Sequence, residues 1–494
     1  MYIRTTKTSS HAQAVQVVSY KNRKLIIEKH IGSAHTEDEL TTLKNIAKNW
    51  IQKHARQRSL FDLNKTVSSQ FVSLDKCQFL GVYQIFAYEI LKRIFSHFKF
   101  THLNQPLLID LAIIRIFEPA SKLRSLQLLS KYFNIHHSEN TMYKSLSKFI
   151  KFKSIIEKKT IRIAQSEFQF DYSFVFYDVT TLYFESFEPD DLRKMGFSKD
   201  NKSNQPQITI GLVVNKDGFP VAYDVFEGNT FEGNTFLPVI LKFKEEYKIN
   251  NFTVVADAAM LSISNLEKLR EQNLQYIVGA RTANISPNII KNISDTLNKI
   301  NGATMRMTTT NGDLVCEFST KRYNKNKREM DKQMKKAEAF IKNPSSIKKT
   351  KFLMNTNNQY SINQKLIEKT ELLLGIKGYY TNLVTDDTTI IDHYHNLWRV
   401  EHAFRIAKND LEMRPIFHYE ANAIKTHILI CFMALAVSKY MELKTGQSLR
   451  SIIDLIKNIT DARILNTLTN EEIVLRSAIK DDVRQMLDKL NLSY

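Results

Sequence analysis

Phe174-Val-Phe-Tyr-Asp178-Val-Thr-Thr-Leu-Tyr183 is the stretch that decides how this chain folds. Its apolar, aromatic and β-branched residues make a strand-like run. Asp178 follows four mostly apolar residues, which places its carboxylate at the mouth of a buried sheet. A second run repeats the arrangement: Phe252-Thr-Val-Val-Ala-Asp257-Ala-Ala-Met260. An Asp at a strand end is often only a turn former, and Asp224 and Glu185 are rival carboxylates close by. A third carboxylate, Glu401, lies in the helical pattern Tyr394-His-Asn-Leu-Trp398-Arg-Val-Glu401-His-Ala-Phe404-Arg405-Ile-Ala-Lys408.

Three carboxylates from two strands and one helix can hold two Mg²⁺ ions. Mg²⁺ prefers oxygen ligands and keeps positions open for phosphate and water. Two such ions stabilise the attacking and leaving oxygens of an in-line displacement at phosphorus.

Working outward, three strand runs follow one another: 174–183, 207–214 and 219–226, the last two joined by the turn Asn215-Lys-Asp-Gly218. A helix from Phe236 to Tyr247 is expected, started by Thr235 as a cap. Then come strand 252–257, a helix at 264–270 and strand 275–281. The order β-β-β-α-β-α-β is the ribonuclease H-like order. The doubled phrase Phe226-Glu-Gly-Asn-Thr230, Phe231-Glu-Gly-Asn-Thr235 reads as turn and cap residues. The fold class is therefore α/β, with a ribonuclease H-like core of mixed sheet and flanking helices. Its first part is expected at 172–281 and its second, with the glutamate helix, at 376–440.

Residues 282–375 are expected to be a β-rich, basic insertion. Thr304 to Ser319 carries an Asn311-Gly312 hairpin signal, and a strand pair is expected around 366–370 and 379–383. Between them, Lys321–Lys351 holds 12 Lys+Arg and 3 Asp+Glu. Its first part has helical composition and includes Lys325, Lys327, Arg328, Lys332, Lys335 and Lys336. Charge runs are usually solvated faces. Beside a phosphoryl-transfer site, contact with phosphate is the better reading.

The glutamate helix is expected from Asp386-Asp387 to about Leu411. At about 3.6 residues per turn, Tyr394, Trp398, Glu401, Arg405 and Lys408 share one stripe. Arg405 and Lys408 would then neutralise phosphate oxygens beside a metal-bound Glu401. The plainer alternative is an intrahelical Glu401–Arg405 ion pair.

The N-terminal 32 residues read as a β-hairpin, and 33–165 as a mainly helical, DNA-binding region. Within it, 121–133 and 141–149 resemble a helix-turn-helix that would present Lys144, Ser147 and Lys148 to DNA; an ordinary helical hairpin is the alternative. Residues 441–494 are expected to be helical. Across 494 residues, 70 Lys+Arg against 51 Asp+Glu leave a net charge of +19, which favours a nucleic acid partner over an acidic membrane. Three scattered cysteines, Cys77, Cys316 and Cys431, have no metal-ligand spacing and fit a reducing, cytoplasmic setting. The apolar run Ile428–Val437 is short for a bilayer span and reads as a buried helix.

These residues resemble the bacterial insertion-sequence transposases of the DDE type, in the branch with a β-rich insertion before the catalytic glutamate. That branch carries a Y-x2-R-x3-E-x6-K signature. Tyr394, Glu401 and Lys408 fill three of its places, while Leu397 stands at the Arg place. Arg399 or Arg405 could supply that charge. Further matches are Tyr177-Asp178-Val179-Thr180-Thr181, Gly228-Asn229, Asp257–Ser262, Tyr276–Arg281, Thr381-Asn382-Leu383, Arg414-Pro415 with His418, and Glu118-Pro119-Ala-Ser-Lys122. The resemblance implies that Asp178, Asp257 and Glu401 bind two Mg²⁺ ions, with Mn²⁺ able to substitute. It implies double-stranded DNA as partner, both terminal inverted repeats and target, bound by a homodimer or larger assembly. Nicking at the element's ends and strand transfer by the freed 3′-OH would follow, in a cytoplasmic, nucleoid-associated protein. A catalytically inactive DNA-binding derivative is the alternative, for which Leu397 is the one hint.

Overall fold

The computed structural model describes residues 1–9, 11–21, 23–54, 76–185, 188–196, 204–260, 262–343, 351–356, 359–467 and 469–494. Residues 344–350 of the basic stretch and Leu261 of the Asp257 motif lie outside the described residues. Two compact units form: Met1–Leu91 with Gln127–His136 and Ile453–Tyr494, and Lys92–Leu126 with His137–Ile452.

In the first unit, β1 (Tyr2–Lys7), β2 (Gln13–Lys21) and β3 (Lys24–Ala34) form an antiparallel sheet. The expected hairpin is β2–β3, and β1 adds a strand on its other side. Helix Glu37–His54 starts in a capping box: the Glu39 N–H donates to Thr36 Oγ1 (3.3 Å), and the Glu39 carboxylate accepts from His35 N–H (2.8 Å). Val15, Val17, Ile31 and Ala34 of the sheet share one apolar core with Leu40, Leu43 and Ala47 of the helix. A boundary at residue 32 therefore does not separate two bodies. β4 (Cys77–Tyr83) pairs with Asp461–Asn466, which pairs in turn with Glu471–Arg476. The region expected to be wholly helical from 441 thus carries a hairpin. Its anchor is the buried Asp461 carboxylate, which accepts from Phe86 N–H (2.8 Å) and Arg476 Nε–H (2.5 Å).

The second unit is built on β5 (Phe174–Tyr183), β6 (Gln207–Val214), β7 (Pro220–Glu227), β8 (Thr253–Ala256), β9 (Gln275–Gly279), β10 (Thr304–Thr309), β11 (Gly312–Phe318) and β14 (Ile376–Thr381). These eight strands lie in the order β10-β11-β14-β9-β8-β5-β6-β7. β5, β8 and β9 run parallel and the other pairings are antiparallel, so the sheet is mixed. The β6–β7 turn is held by Asn215 Oδ1, which accepts from Asp217 and Phe219 N–H at 2.9 Å each, with Gly218 at φ +77°.

Three expectations are corrected here. The helix after β7 begins at Glu232, so Thr235 lies in its first turn and is no cap; it is buried, its hydroxyl bonding Glu232 O (2.6 Å) and accepting from Tyr177 OH (2.8 Å). The two copies of Phe-Glu-Gly-Asn-Thr therefore fold differently. The insertion is less β-rich than its alternation implies: Pro287–Leu297, Thr320–Lys342 and Gln364–Leu372 are helices, the last replacing the strand expected at 366–370. There the Asn363 side chain accepts from Leu366 N–H (3.0 Å) as a cap, and Ile367 turns into a local core with Met330, Phe340 and Leu353. Nor do the insertion's strands stand apart. β10 and β11 extend the main sheet through β14, while β12 (Leu353–Thr356) and β13 (Gln359–Ile362) form a small separate pair.

The apolar run at 428–437 belongs to a longer helix, Ala421–Thr445, long and apolar enough by composition to cross a membrane but 83% buried along its most apolar window. Polar residues on it are absorbed by internal bonds. Thr426 Oγ1 donates to Leu146 O (2.7 Å), which docks helix Glu139–Phe149, and His427 Nε2–H donates to Met413 O (2.9 Å). Burial, and then the charges of Lys122 and Arg115, hold His418 down to about 4 and His427 well below the ordinary imidazole range. Both are neutral in the fold and take a proton more readily when unfolded. Stability is full above about pH 6.5 and falls as pH drops towards about 4. Between pH 7 and pH 5, His418 alone should change the unfolding free energy read from urea denaturation by on the order of 2 kcal/mol, with His427 adding in the same direction. The gap should shrink in His418→Gln; an equal gap in that variant would put the acid sensitivity elsewhere.

Candidate active site

Parallel pairing sets the two aspartates side by side. Tyr177 of β5 is in register with Ala256, the last residue of β8, and Asp178 and Asp257 each follow directly in the chain. Their backbones thus sit about one strand spacing (~4.8 Å) apart. Asp178 is mid-strand in β5, still opposite Leu212 of β6, because β5 runs on to Tyr183 after β8 has ended. Asp257 opens the loop after β8, where its Oδ1 accepts from Ala259 N–H (2.7 Å). Arg281 pins the same loop, donating from Nε to Ala258 O (2.9 Å). The rival Asp224 lies on β7 and is paired with Lys242 (2.9 Å), while Glu185 is solvent-exposed just beyond β5.

The glutamate segment is three pieces. Asp387–His395 is capped by Asp386, whose carboxylate accepts from Thr389 N–H (2.8 Å). A turn at Asn396-Leu397 intervenes before helix Trp398–Arg405, and Ile406–Asp410 is a π turn. The single stripe expected from Tyr394 to Lys408 is therefore broken twice. Tyr394 turns inward, Trp398, Glu401 and Arg405 are exposed, and Lys408 sits on the widened π turn. The first piece lies against β8 and β9, and the second against β5 and β6. Arg306 of β10 locks the start of the segment, bonding Asp387 Oδ1 (2.8 Å) and Thr385 O (2.5 Å).

Tyr394 joins the three carboxylates electrostatically. Burial first, and then the charges of Asp257, Glu401 and Asp178, push its hydroxyl above the ordinary phenol range, opposed by Arg322. Gly279 makes room for it: a Cβ there would fall 2.5 Å from Tyr394 Oη and 3.0 Å from Ala258 N. Gly279→Ala should therefore cost about 1–3 kcal/mol by overpacking and displace Tyr394. A melting curve matching the unsubstituted protein would show that the ring moves aside freely.

Leu397, at the signature's Arg place, is buried and carries no charge to the site. Arg399 does not replace it directly, since its guanidinium is drawn to Asp217 (3.5 Å) and Asn396 Oδ1 (3.2 Å). Two cations absent from the sequence-based set act on Tyr394 instead. Lys377 Nζ lies 5.2 Å from its ring centroid, and Arg322 acts on Tyr394, Tyr379 and Lys377 alike. Lys377 falls just before the strand expected at 379–383 and carried no signal in the sequence; the structure places it on β14. Arg322 was hidden among a dozen similar charges.

The intrahelical alternative for Glu401 does not hold, because among the described residues no cation pairs with it. Among the described residues, too, no three His, Cys, Asp or Glu side chains are gathered closely enough to grip one ion. What fits a hard cation is the chemistry of the donor set: an aspartate on β5, an aspartate just after the neighbouring β8 and an exposed glutamate on a helix packed against β5 and β6, with no sulfur or imidazole among them.

The remaining site residues lie elsewhere. Helix Thr320–Lys342 buries Met330, Ala337 and Phe340 and exposes Lys325, Arg328, Lys332, Lys335 and Lys336; Lys327 is half-buried and faces Asp331 (3.8 Å). Lys321, Arg322, Lys325, Arg328 and Lys332 line a groove of about 720 Å³ with Glu329 as its one acid. Lys144 and Lys148 are exposed on helix Glu139–Phe149, opposite Met142, Leu146 and Phe149. Thr381 and Asn382 explain two further motifs, since Asn382 clamps β9 by accepting from Tyr276 N–H (2.9 Å) and donating to Leu274 O (3.0 Å).

No curated protein matches the chain. Among solved structures it is similar to a piggyBac transposase synaptic complex with hairpin DNA, at 10% identity and a TM-score of 0.38, over 82% of this chain and 70% of that one. The family model for the transposase DDE domain matches residues 169–437, a span that takes in Asp178, Asp257 and Glu401 and more than half of the sequence, and the chain belongs to that family.

Proposed function

We propose that the protein is an active DNA transposase of an insertion sequence, with a ribonuclease H-like catalytic core. It binds the element's terminal inverted repeats, cleaves DNA at the element's ends and joins the freed 3′-OH to target DNA. The observation that carries this reading is the register of Asp178 and Asp257 on adjacent parallel strands, with Glu401 on the helix packed over β5. These three carboxylates would hold two Mg²⁺ ions, or Mn²⁺ in their place. When bound there, such ions would supply Lewis-acid stabilisation of the oxygens at the phosphorus.

The chain's own residues do the rest. Tyr394 stays protonated and can donate a hydrogen bond towards a phosphate oxygen at the carboxylates. Arg322 and Lys377 bring the positive charge that Leu397 lacks. The basic groove on helix Thr320–Lys342 tracks the DNA backbone, and Lys144 and Lys148 add contacts from the helical region. The protein acts as a dimer on paired ends, in the cytoplasm, beside the nucleoid.

The buried Leu397 is the observation that favours the second reading, an inactive DNA-binding derivative. Incubating the protein with DNA carrying the element's ends, in Mg²⁺ and separately in Mn²⁺, decides between the two. Cleavage at the end boundary supports the transposase; binding with no cleavage in either metal supports the derivative.

A further inference from the structure

Two sequence motifs have no task in the catalytic reading, Glu118-Pro-Ala-Ser-Lys122 and Arg414-Pro415 with His418. They meet in the second unit around a cavity of about 30 Å³ whose wall includes Arg115, Lys122, Glu412, Phe417, His418 and His427. Arg115 and Lys122 are only 2% and 5% exposed. Burying two cations in one wall is strongly unfavourable unless each is partnered.

The partners present are all neutral. Arg115 donates from Nη1 to Leu411 O (3.3 Å) and Glu412 O (3.0 Å), and from Nη2 to Ala120 O (2.7 Å), while its buried Nε has no partner. Lys122 Nζ donates to His427 Nδ1 at 3.0 Å, the lone-pair side of an imidazole whose Nε2–H is committed to Met413 O. Among the described residues no carboxylate pairs with either cation, and Glu412, at the cavity wall, is exposed. Burial lowers Lys122, and Arg115 lowers it further; both His418 and His427 are lowered by the same two cations. The cavity thus has an unfilled donor, a positive field and, among the described residues, no carboxylate paired with its cations, the exposed Glu412 being the one acid at its wall.

Its volume is enough for one or two oxygen atoms and too small for a nucleoside. Phe417 at the edge is 60% exposed, so the bulk of a ligand can stay outside. We propose that this cavity is an anion site that takes the oxygens of a phosphate group, presented either by a DNA backbone or as free inorganic phosphate. The DNA source rests on the transposase reading; the free-phosphate source does not.

Calorimetric titration of inorganic phosphate into the full chain is the first arm, comparing the unsubstituted protein with Lys122→Met and Glu412→Gln. One phosphate should bind per chain, Lys122→Met should lose it, and Glu412→Gln, an exposed change that preserves the fold, should bind several-fold tighter. The second arm is the salt dependence of binding to end DNA without metal. If a backbone phosphate enters, Lys122→Met should flatten the log–log slope by about 0.9, the increment for a single neutralised phosphate. Phosphate binding with an unchanged DNA slope assigns the site to free phosphate; a flattened slope assigns it to DNA. Phosphate binding that is absent, or equal in all three proteins, together with an unchanged slope, overturns the site and leaves Lys122 a buried neutral amine. Absence of cleavage by the unsubstituted protein with phosphate binding intact would sink the transposase reading alone.

Discussion

Glu401→Gln is expected to lower the rate of DNA cleavage by about 10³-fold or more, the scale of removing a preorganised electrostatic group from a reacting centre, while DNA affinity stays within about twofold. The side chain is exposed, unpaired among the described residues and on a helix whose core contacts come from Val400, Ala403 and Phe404. An isosteric amide there should leave the fold intact. What changes is charge, one of three carboxylates acting on the Tyr394 hydroxyl. Asp178→Asn and Asp257→Asn should behave alike, and the three losses should not add, because residues acting as a unit fail together. The decisive comparison is single-turnover cleavage beside metal-free DNA binding for each variant. Parallel loss of cleavage and binding in Glu401→Gln would remove it from the candidate metal set.

The second large effect concerns the basic groove. Reversing Lys325, Arg328 and Lys332 to Glu together should weaken binding to end DNA by at least about tenfold and flatten its salt dependence by roughly 2.7 in log–log slope, about 0.9 for each phosphate that is no longer neutralised. The three side chains line one groove and are exposed, while the helix is held by Met330, Ala337 and Phe340 on its other face. The fold should therefore survive, which circular dichroism checks. Cleavage of end DNA at saturating concentration should fall far less than affinity. Unchanged affinity and slope would return the run to an ordinary solvated face.

Much of the core was legible in the sequence because its strands are short, apolar and punctuated by strong turns. Asn215–Gly218 and Asn311-Gly312 set two hairpins, and the runs at 174–183 and 207–214 match β5 and β6 to the residue. Misreadings fell where local chemistry is ambiguous. Leu366–Thr370, expected as a strand, is helical, because Asn363 caps it and Ile367 meets an apolar cluster. The twin Phe-Glu-Gly-Asn-Thr phrases fold differently because the first ends a paired strand and the second opens a helix whose Thr235 bonds the buried Tyr177.

The sequence by itself determined the carboxylates, the charge balance and the alternation that makes the central strands. Each is a property of residue type and spacing. Tertiary structure alone decided which groups meet. Parallel pairing of β5 with β8 aligns Asp178 with Asp257, 79 positions further along the chain, and the break at Asn396-Leu397 lets Tyr394 turn inward while Glu401 faces outward. It also brought Lys377 and Arg322 to the site and Lys122 to His427. Such encounters depend on strand order and packing between segments far apart in the chain, which no periodicity within a short window encodes.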